Sequence, residues 1–140
     1  MVKKLGSNKQ NIVVTGGAGF VGTNLIKRLL SDGHEVVSVD NYSTGKKNNH
    51  IDSKDVDYIQ KDISDIDIYK GMPVHVDGVF HLAALARIQP SFKHPSDSFD
   101  ANARGTQNIM EWAREVGCPV VYAGSSSIHG DKYANPYTFT

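Results

Sequence analysis

The stretch Ile12-Val13-Val14-Thr15-Gly16-Gly17-Ala18-Gly19-Phe20-Val21-Gly22 decides the fold of this chain. It starts with β-branched residues, passes through closely spaced glycines and runs into a segment with helical periodicity. A strand that enters a glycine-rich turn and leaves through a helix is suited to binding phosphate groups. The turn exposes backbone N–H groups, and the helix N-terminus carries partial positive charge. We therefore expect a nucleotide-binding turn here.

Three glycines in this turn have predicted roles. Gly16 supplies a positive φ for the sharp reversal, Gly19 lets a pyrophosphate approach the backbone, and Gly22 lets the helix pack closely on the strand. The helix is expected to end at Asp32-Gly33. Its buried face is predicted to consist of Val21, Leu25, Ile26 and Leu29.

Asp40 is the second part of the predicted site. It closes another β-branched run, Val36–Val39, and lies 18 positions after Gly22. A carboxylate at this place binds the ribose hydroxyls of a dinucleotide and repels a 2′-phosphate, which favours NAD over NADP. A solvated carboxylate or a helix N-cap is the alternative interpretation of Asp40.

Strand-like and helical segments alternate along the chain. This alternation predicts an α/β fold with a doubly wound parallel sheet. The five predicted strands are Ile12–Thr15, Val36–Val39, Val56–Ile59, Val79–Leu82 and Val120–Ala123.

A long helix is predicted over Ser96–Val116, with Gly117 ending it. Trp112 lies off its predicted apolar stripe and is expected to pack in the core against another helix. The predicted stripe consists of Phe99, Ala103, Thr106, Met110 and Ala113.

Composition narrows the range of functions. The 140 residues fit one domain, and 15 basic against 15 acidic residues leave no net charge, so nothing indicates a nucleic-acid partner. No apolar run is long enough for a membrane span, and no metal site is predicted. The single cysteine, Cys118, excludes an internal disulfide and is compatible with a cytoplasmic location.

A series of motifs resembles the extended short-chain dehydrogenase/reductases that act on nucleotide sugars, such as UDP-galactose 4-epimerase and the sugar-nucleotide 4,6-dehydratases. The resemblance covers nearly the whole chain and implies a Rossmann fold that binds NAD. Besides the glycine turn it is carried by Val39–Gly45, Asp62-Ile63, Phe80–Ala84, Asn102–Thr106, Ser125–Gly130 and Pro136-Tyr137.

The resemblance implies cofactor contacts at defined positions. Asp40 and Asn41 are expected at the adenosine ribose, and Asp62 with Ile63 at the adenine, where the carboxylate accepts from the exocyclic amine. His81 matches a position that is structural in the family, and Arg87 is either a ligand of substrate phosphate or a loop residue. The remaining implied cofactor residues are Phe20, Val21, Ser43, Thr44, Gly45, Leu82, Ala83, Ala84 and Asn102.

The resemblance also implies the catalytic residues. Tyr137 matches the family's tyrosine base, which removes a hydroxyl proton from the sugar, and Ser125 matches its assisting hydroxyl. A phenol with a pKa near 10 needs a neighbouring positive charge to act at neutral pH. The family's lysine falls one residue past Thr140, and only twelve positions separate Ser125 from Tyr137. We therefore expect a truncated chain, without the C-terminal strands and substrate domain, that is inactive alone.

Two hypotheses follow for the function. The chain is either the NAD-binding part of a nucleotide-sugar 4-epimerase or 4,6-dehydratase, or a non-catalytic NAD-binding module. Ser126-Ser127 stand where dehydratases tend to have an acid pair, which favours the epimerase. The resemblance further implies a homodimer formed through the Ser96–Val116 helix.

Overall fold

A computed structural model describes residues 9–125 of the chain. These residues form five strands and four α-helices, with a short 3₁₀ turn at Lys47–Asn49 and a π-helical segment at Asp100–Arg104. The strands are β1 Asn11–Thr15, β2 Glu35–Asp40, β3 Val56–Gln60, β4 Gly78–His81 and β5 Val120–Tyr122. The helices are α1 Phe20–Ser31, α2 Ile88–Lys93, α3 Pro95–Phe99 and α4 Gly105–Val116.

The strands form one sheet in the order β3-β2-β1-β4-β5, and every neighbouring pair is parallel. The predicted doubly wound α/β fold is therefore confirmed. The chain moves outward from β1 to β3 on one side and from β4 to β5 on the other. Such a reversal of strand order opens a crevice at the carboxyl ends of β1 and β4, where open α/β sheets bind their ligands.

All five predicted strands are present, with small differences at their ends. β4 ends at His81, one residue before the predicted end, and Leu82 to Ala84 lie in the loop that follows. β5 ends at Tyr122 rather than Ala123. The chain thus leaves the sheet just before the small residues that the sequence places at the cofactor.

Each face of the sheet has its own apolar core. One combines Val13, Val39 and Val79 with Trp112 of α4, and Ile63, Ile68 and Met72 of the connection between β3 and β4 complete it. On the opposite face, Ile26 and Leu29 of α1 pack against residues of β1, β2 and β3. Successive residues of the central strands point alternately into one core and the other, as expected for a parallel sheet covered on both faces.

The predicted apolar faces of two helices need correction. In α1, Val21 is 62% exposed, whereas Gly22 and Thr23 are buried beside Ile26 and Leu29. Val21 is the second residue of the helix and lies on its exposed side. Residues close to the glycine turn pack inward instead.

The long helix departs further from the prediction. It runs from Pro95 to Val116, but the π-helical segment interrupts its α-helical hydrogen bonding. Phe99 is 63% exposed and Met110 37%, so the predicted stripe is wrong. Trp112 is buried as predicted, but in the core beneath the sheet. The inner face of α4 consists of Gly105, Ile109, Trp112 and Ala113.

Gly117 ends α4 as predicted. Its φ is +80°, and the N–H groups of Gly117 and Cys118 both donate to the carbonyl of Ala113, at 2.8 and 3.1 Å. This is the usual left-handed termination of a helix. Between residues 9 and 125, no helix is both long and apolar enough to cross a membrane.

Candidate cofactor-binding site

The glycine turn after β1 is packed as closely as its sequence suggests. Gly16 has a φ of +71°, and its N–H donates to the carbonyl of Val39 at 2.8 Å. A Cβ atom on Gly16 would lie 2.8 Å from the backbone nitrogen of Ala83. One on Gly22 would lie 2.6 Å from Cα of Gly17 and would also overlap the carbonyl oxygen of Gly16. Gly22 therefore lets the helix pack on the turn itself.

Gly19 differs from its neighbours. A Cβ atom there would meet a single protein atom within 4 Å, the carbonyl oxygen of Gly16 at 3.3 Å. A Cβ atom at this position therefore needs only a small shift of the Gly16 carbonyl, and the open space beside Gly19 belongs to the cavity. Helix α1 starts directly after Gly19 and has no acidic residue in its first turn. Its N–H groups at this end have no intrahelical acceptors, which suits an anionic ligand.

Gly17 is required for a reason that the sequence alone does not reveal. A Cβ atom on Gly17 would overlap the hydroxyl of Ser38 and lie 2.9 Å from Ser38 Cβ. The Ser38 hydroxyl is buried without a hydrogen-bond partner among the described residues. A small residue on β2 and a glycine in the turn thus allow the two segments to touch.

Asp40 lies at the carboxyl end of β2 and is 8% exposed. Its Oδ2 accepts a hydrogen bond from Ala18 N–H at 3.0 Å, and its Oδ1 accepts one from Tyr42 N–H at 2.8 Å. A Cβ atom on Gly45 would lie 3.0 Å from either carboxylate oxygen. Each carboxylate oxygen keeps acceptor capacity beyond its one backbone bond, as two ribose hydroxyls require.

Ala18 joins the glycine turn to the loop after β2. Its N–H binds Asp40, while its carbonyl accepts from Asn49 Nδ2 at 2.8 Å and from Lys46 N–H at 3.2 Å. The loop at Lys46–Asn49 is therefore attached to the turn, and Lys47–Asn49 forms a 3₁₀ turn.

Asp62 and Asn41 form the next wall of the site. Asn41 Nδ2 donates to Asp62 Oδ2 at 2.7 Å, and Ser64 donates to Asp62 Oδ1 from its N–H at 2.8 Å and its hydroxyl at 2.6 Å. Burial raises the pKa of the Asp62 carboxyl, but the hydrogen bonds from Ser64 and Asn41 outweigh it and leave the pKa below its usual value. Asp62 is therefore a charged hydrogen-bond acceptor at neutral pH.

A cavity of about 390 Å³ connects these groups at the carboxyl edge of the sheet. Eleven of the predicted cofactor residues line it: Gly16, Gly19, Asp40, Asn41, Ser43, Thr44, Asp62, Ile63, Leu82, Ala83 and Ala84. The sequence analysis did not assign seven further lining residues: Val39, Lys61, Ser64, Leu85, Asp97, Asp100 and Ala101. No local motif marks the last three, because the helical segment reaches the cavity only through the tertiary fold.

The other five predicted residues lie around the cavity without lining it. Phe20 and Val21 are exposed at the start of α1, Gly22 supports the turn, and Gly45 flanks Asp40. Asn102 forms two hydrogen bonds with the backbone of Leu85. Its Oδ1 accepts from Leu85 N–H at 2.8 Å, and its Nδ2 donates to the Leu85 carbonyl at 3.0 Å.

His81 connects β4 to both neighbouring elements. It is 1% exposed, and its Nδ1 and Nε2 lie 2.7 Å from Thr15 Oγ1 and 2.9 Å from Thr106 Oγ1. The Thr106 hydroxyl donates to the carbonyl of Asn102 at 2.8 Å, so it accepts from Nε2–H. The Thr15 hydroxyl accepts N–H bonds from Leu82 and Ala83 and gives its proton to Nδ1. His81 is thus a neutral structural residue.

The predicted catalytic pair is described only in part. Ser125 is exposed three residues after β5 ends, at the carboxyl edge of the sheet that also carries the cavity. Tyr137 lies outside the described residues. The pairing of these two hydroxyls therefore stays a prediction. Residues 9–125 contain no cluster of three metal-ligating His, Cys, Asp or Glu side chains.

Known proteins resemble both the sequence and the fold. UDP-glucuronic acid decarboxylase 1 of Danio rerio is 33% identical over 129 residues, which are 92% of this chain and 30% of that protein. The Bordetella bronchiseptica enzyme WbmF, solved in complex with NAD+, is 34% identical with a TM-score of 0.79. The match covers 85% of this chain and 37% of WbmF.

A third similar protein is the UDP-N-acetylglucosamine 4-epimerase from Methanobrevibacter ruminantium M1, at 30% identity and a TM-score of 0.84, covering 94% of this chain and 43% of that enzyme. The chain thus spans less than half the length of these relatives. The model of the NAD dependent epimerase/dehydratase family matches residues 12–139. The fold and the NAD cofactor predicted from the sequence are those of this family. This chain therefore belongs to the NAD dependent epimerase/dehydratase family.

Proposed function

We propose that this chain is the NAD-binding part of a nucleotide-sugar 4-epimerase. One observation carries the cofactor assignment: a single cavity joins the glycine turn to the carboxylates of Asp40 and Asp62 at the carboxyl edge of a parallel sheet. These groups match the pyrophosphate, ribose and adenine of NAD in order. Bound NAD would supply a nicotinamide ring that takes up a hydride from the sugar and returns it.

The residues of the cavity fit the adenosine half of NAD. Asp40 has an acceptor on each carboxylate oxygen for the ribose hydroxyls, and Asp62 is held as a charged acceptor for the adenine amine. Gly19 leaves room for the pyrophosphate beside the N-terminus of α1. Leu82 and Ala83 are fixed by Thr15, so that wall of the cavity is in place before the cofactor binds.

The proposed chemistry assigns a proton transfer to the chain. Tyr137, assisted by Ser125, would take the proton from the 4-hydroxyl of the sugar while its hydride leaves. Return of the hydride to the opposite face of the ketone, with the proton passing back from Tyr137 to its oxygen, would invert the configuration at that carbon. The serine and tyrosine roles rest on the family resemblance and on the position of Ser125 at the cavity's edge of the sheet.

Titration calorimetry with NAD and NADP tests the cofactor assignment. NAD is expected to bind about 10- to 100-fold more tightly than NADP, because the added phosphate would face the Asp40 carboxylate at a cost of about 1–3 kcal/mol. Asp40→Ser is expected to reduce this preference, whereas Asp57→Ser, on the exposed face of β3, keeps it. Equal binding of both cofactors by the unchanged chain would contradict the assignment.

Gly19→Val tests the pyrophosphate position. A Cβ atom at residue 19 has one tight contact, the Gly16 carbonyl oxygen at 3.3 Å, and the backbone there is extended, so the variant is expected to fold with a modest loss in melting temperature but to show no measurable NAD binding. Its side chain would occupy the volume that the phosphates need. Unchanged affinity in the folded variant would place the pyrophosphate elsewhere.

The reaction has two further candidates within the family. The first is 4,6-dehydration, which starts with the same hydride transfer. The second is decarboxylation, which the decarboxylase relatives suggest. The sequence Ser126-Ser127, in place of the dehydratase acid pair, supports the epimerase. Chromatography followed by mass spectrometry of UDP-glucose, UDP-N-acetylglucosamine and UDP-glucuronate after incubation with protein and NAD separates the three, because an epimer changes its retention time but not its mass.

An epimer of unchanged mass supports the proposal, while loss of water or of carbon dioxide indicates the other two reactions. NAD binding without any turnover is the outcome expected for this chain alone, since it spans less than half of its enzyme relatives. An active longer form would show that the chain is a part of an enzyme. An inactive longer form would support a non-catalytic NAD-binding module.

A homodimer in the cytoplasm completes the proposal. Phe99 and Met110 are exposed apolar side chains of the helical segment at residues 95–116, through which the family resemblance implies that the dimer forms. Light scattering across a concentration series is expected to show a dimer, and Phe99→Lys to shift it toward the monomer. A wild-type chain that stays monomeric at high concentration would contradict the homodimer.

A further inference from the structure

The turn after β2 contains a residue in an unusual backbone conformation. Tyr42 has a φ of +60°, and no other non-glycine residue between 9 and 125 has a positive φ. This left-handed conformation is sterically unfavourable for a residue with a Cβ atom and is found mainly at glycine, asparagine and aspartate. Such a conformation persists only where surrounding contacts enforce it, often at functional sites.

The conformation of Tyr42 has a direct effect on Asp40. It turns the Tyr42 N–H back toward Asp40 Oδ1, to which it donates at 2.8 Å, while Ala18 N–H holds Oδ2 at 3.0 Å. Two backbone donors, one on each oxygen, fix the plane of the carboxylate. Because contacts hold both ends of the turn, relaxing residue 42 to a negative φ would require a compensating rotation of the peptide plane between Asn41 and Tyr42. That rotation would carry the Tyr42 N–H away from Asp40, and one of these two bonds would be lost.

The side chain of Tyr42 is anchored by its neighbours. Its hydroxyl is hydrogen-bonded to His50 Nε2 at 2.8 Å, and Lys47 Nζ lies 5.2 Å from its ring centroid. The His50 ring stacks on Tyr58 with centroids 3.7 Å apart and an interplanar angle of 8°. Tyr58 belongs to β3, and its hydroxyl accepts from Ile51 N–H at 2.8 Å. Tyr42, His50 and Tyr58 thus form an aromatic cluster that ties the turn to the sheet.

We propose that the aromatic cluster holds Tyr42 in its left-handed conformation and so orients the Asp40 carboxylate toward the ribose of the cofactor. Tyr42 is then a positioning residue for the choice between NAD and NADP. It acts through its backbone N–H, and its ring serves as the anchor. This inference rests on the proposed function in one respect, the role of Asp40 as the ribose ligand.

Three substitutions at residue 42 distinguish the effect of its backbone conformation from the effect of its aromatic ring. Tyr42→Ala removes the anchor and keeps the Cβ atom that disfavours a positive φ. It is expected to weaken NAD binding about five- to tenfold and to lower the preference for NAD over NADP. Tyr42→Gly also removes the ring but adopts a positive φ freely, so its NAD affinity is expected to stay within about threefold of wild type. Tyr42→Phe retains the ring contacts and should fall between wild type and Tyr42→Ala.

Substitutions in the cluster provide a second measurement that leaves residue 42 unchanged. His50→Ala breaks the link between Tyr42 and Tyr58, and we expect it to lower the preference for NAD in the same direction as Tyr42→Ala. Tyr58→Phe keeps the stacked ring and loses only the bond from Ile51, so it serves as the matched control with unchanged preference. Circular dichroism and melting curves verify that each variant is folded.

The reference variant Asp40→Ser distinguishes failure of this inference from failure of the proposed function. If Asp40→Ser binds NAD and NADP like the wild type, the ribose role of Asp40 is wrong. If Asp40→Ser loses the preference for NAD but Tyr42→Ala and His50→Ala keep it, the positioning role of Tyr42 is overturned and the proposed function stands. Equal losses in Tyr42→Ala and Tyr42→Gly would also overturn it, because they would assign the effect to the ring.

Discussion

At the scale of single residues, the carboxylates of the cavity differ in how they are held, and this determines what each can recognise. The Asp62 carboxylate receives hydrogen bonds from Asn41 and Ser64 that keep it ionised, so it can only accept. An adenine amine satisfies such a group, whereas a 6-oxo group presents a second acceptor to it. If Asp62 lies at the adenine as proposed, we expect it to favour adenine over hypoxanthine.

This selectivity can be measured with NAD and its deaminated analogue, which carries hypoxanthine. The analogue is expected to bind about tenfold more weakly, because its oxo group would face the Asp62 carboxylate as acceptor against acceptor. Asp62→Asn can donate to the oxo group and should narrow the difference, while the exposed neighbour variant Asp65→Asn should not change it. Equal binding of both dinucleotides to the wild type would remove Asp62 from the adenine site.

At this scale the sequence predicted the residues whose roles follow from a local motif. It did not predict contacts between segments that are distant in the chain. Gly16 and Asp40 could be assigned because their types and spacing follow directly from the needs of a dinucleotide. The contact between Gly17 and Ser38 could not, because it joins two segments whose register only the folded sheet defines. The bonds between Asn102 and Leu85 likewise depend on how the helix lies over the loop after β4.

At the scale of elements, the helix prediction shows what periodicity can and cannot tell. The existence of a helix up to Gly117 follows from the pattern, but its inner face does not. The predicted stripe continues from Phe99 across the π-helical segment, where the hydrogen bonding and the phase change. The true inner face begins at Gly105, where a side chain would lie 2.6 Å from Ile63. A search for a stripe of apolar residues does not detect Gly105, although this glycine packs closely against Ile63.

The junction between the turn and α1 gives a prediction at this scale. Gly22→Ala would press a methyl group against the backbone of Gly16 and Gly17, which has no flexible end that could give way. We expect a loss of about 2–4 kcal/mol in unfolding free energy from this overpacking. Urea unfolding measures it. Gly78→Ala in β4, where a Cβ atom meets only contacts of 3.7 and 3.9 Å, is the control with a change below about 1 kcal/mol.

A Gly22→Ala variant as stable as the Gly78→Ala variant would show that the turn can shift to make room. The comparison with Gly19→Val is informative as well. Residue 22 is expected to govern folding and residue 19 to govern cofactor binding, although both belong to one glycine motif. The motif thus combines two physical requirements that substitutions can separate.

At the scale of the whole molecule, we expect stability to depend on pH through His81, which connects β1 and β4 to α4. Burial lowers the pKa of His81 to about 4, from about 6.5 in an unfolded chain. The folded state thus binds the proton less readily than the unfolded state. Its contribution to stability is complete above pH 6.5 and is lost as the pH falls toward 4.

The size of this effect follows from the shift. It amounts to about 3 kcal/mol of unfolding free energy between pH 7 and pH 4. Because carboxylates also titrate in this range, the test compares the pH dependence of urea unfolding in wild type and His81→Gln. The variant is expected to be less stable at pH 7 and to lose less on acidification, whereas His75→Gln, at an exposed histidine, follows the wild type. Parallel curves for His81→Gln and wild type would contradict a neutral His81.

The double attachment of Ala18 has a consequence for ligand design. Its N–H is bonded to Asp40, and its carbonyl to the loop that carries Asn49, so hydrogen bonds join the glycine turn directly to the Asp40 carboxylate and to that loop. Two small molecules bound at these neighbouring places would find them at a fixed separation, whichever arrived first. A linker of matching length would then join the fragments with little strain, and the second would bind at a high effective concentration. The sugar-binding part of a relative need not be present for such a compound to be found.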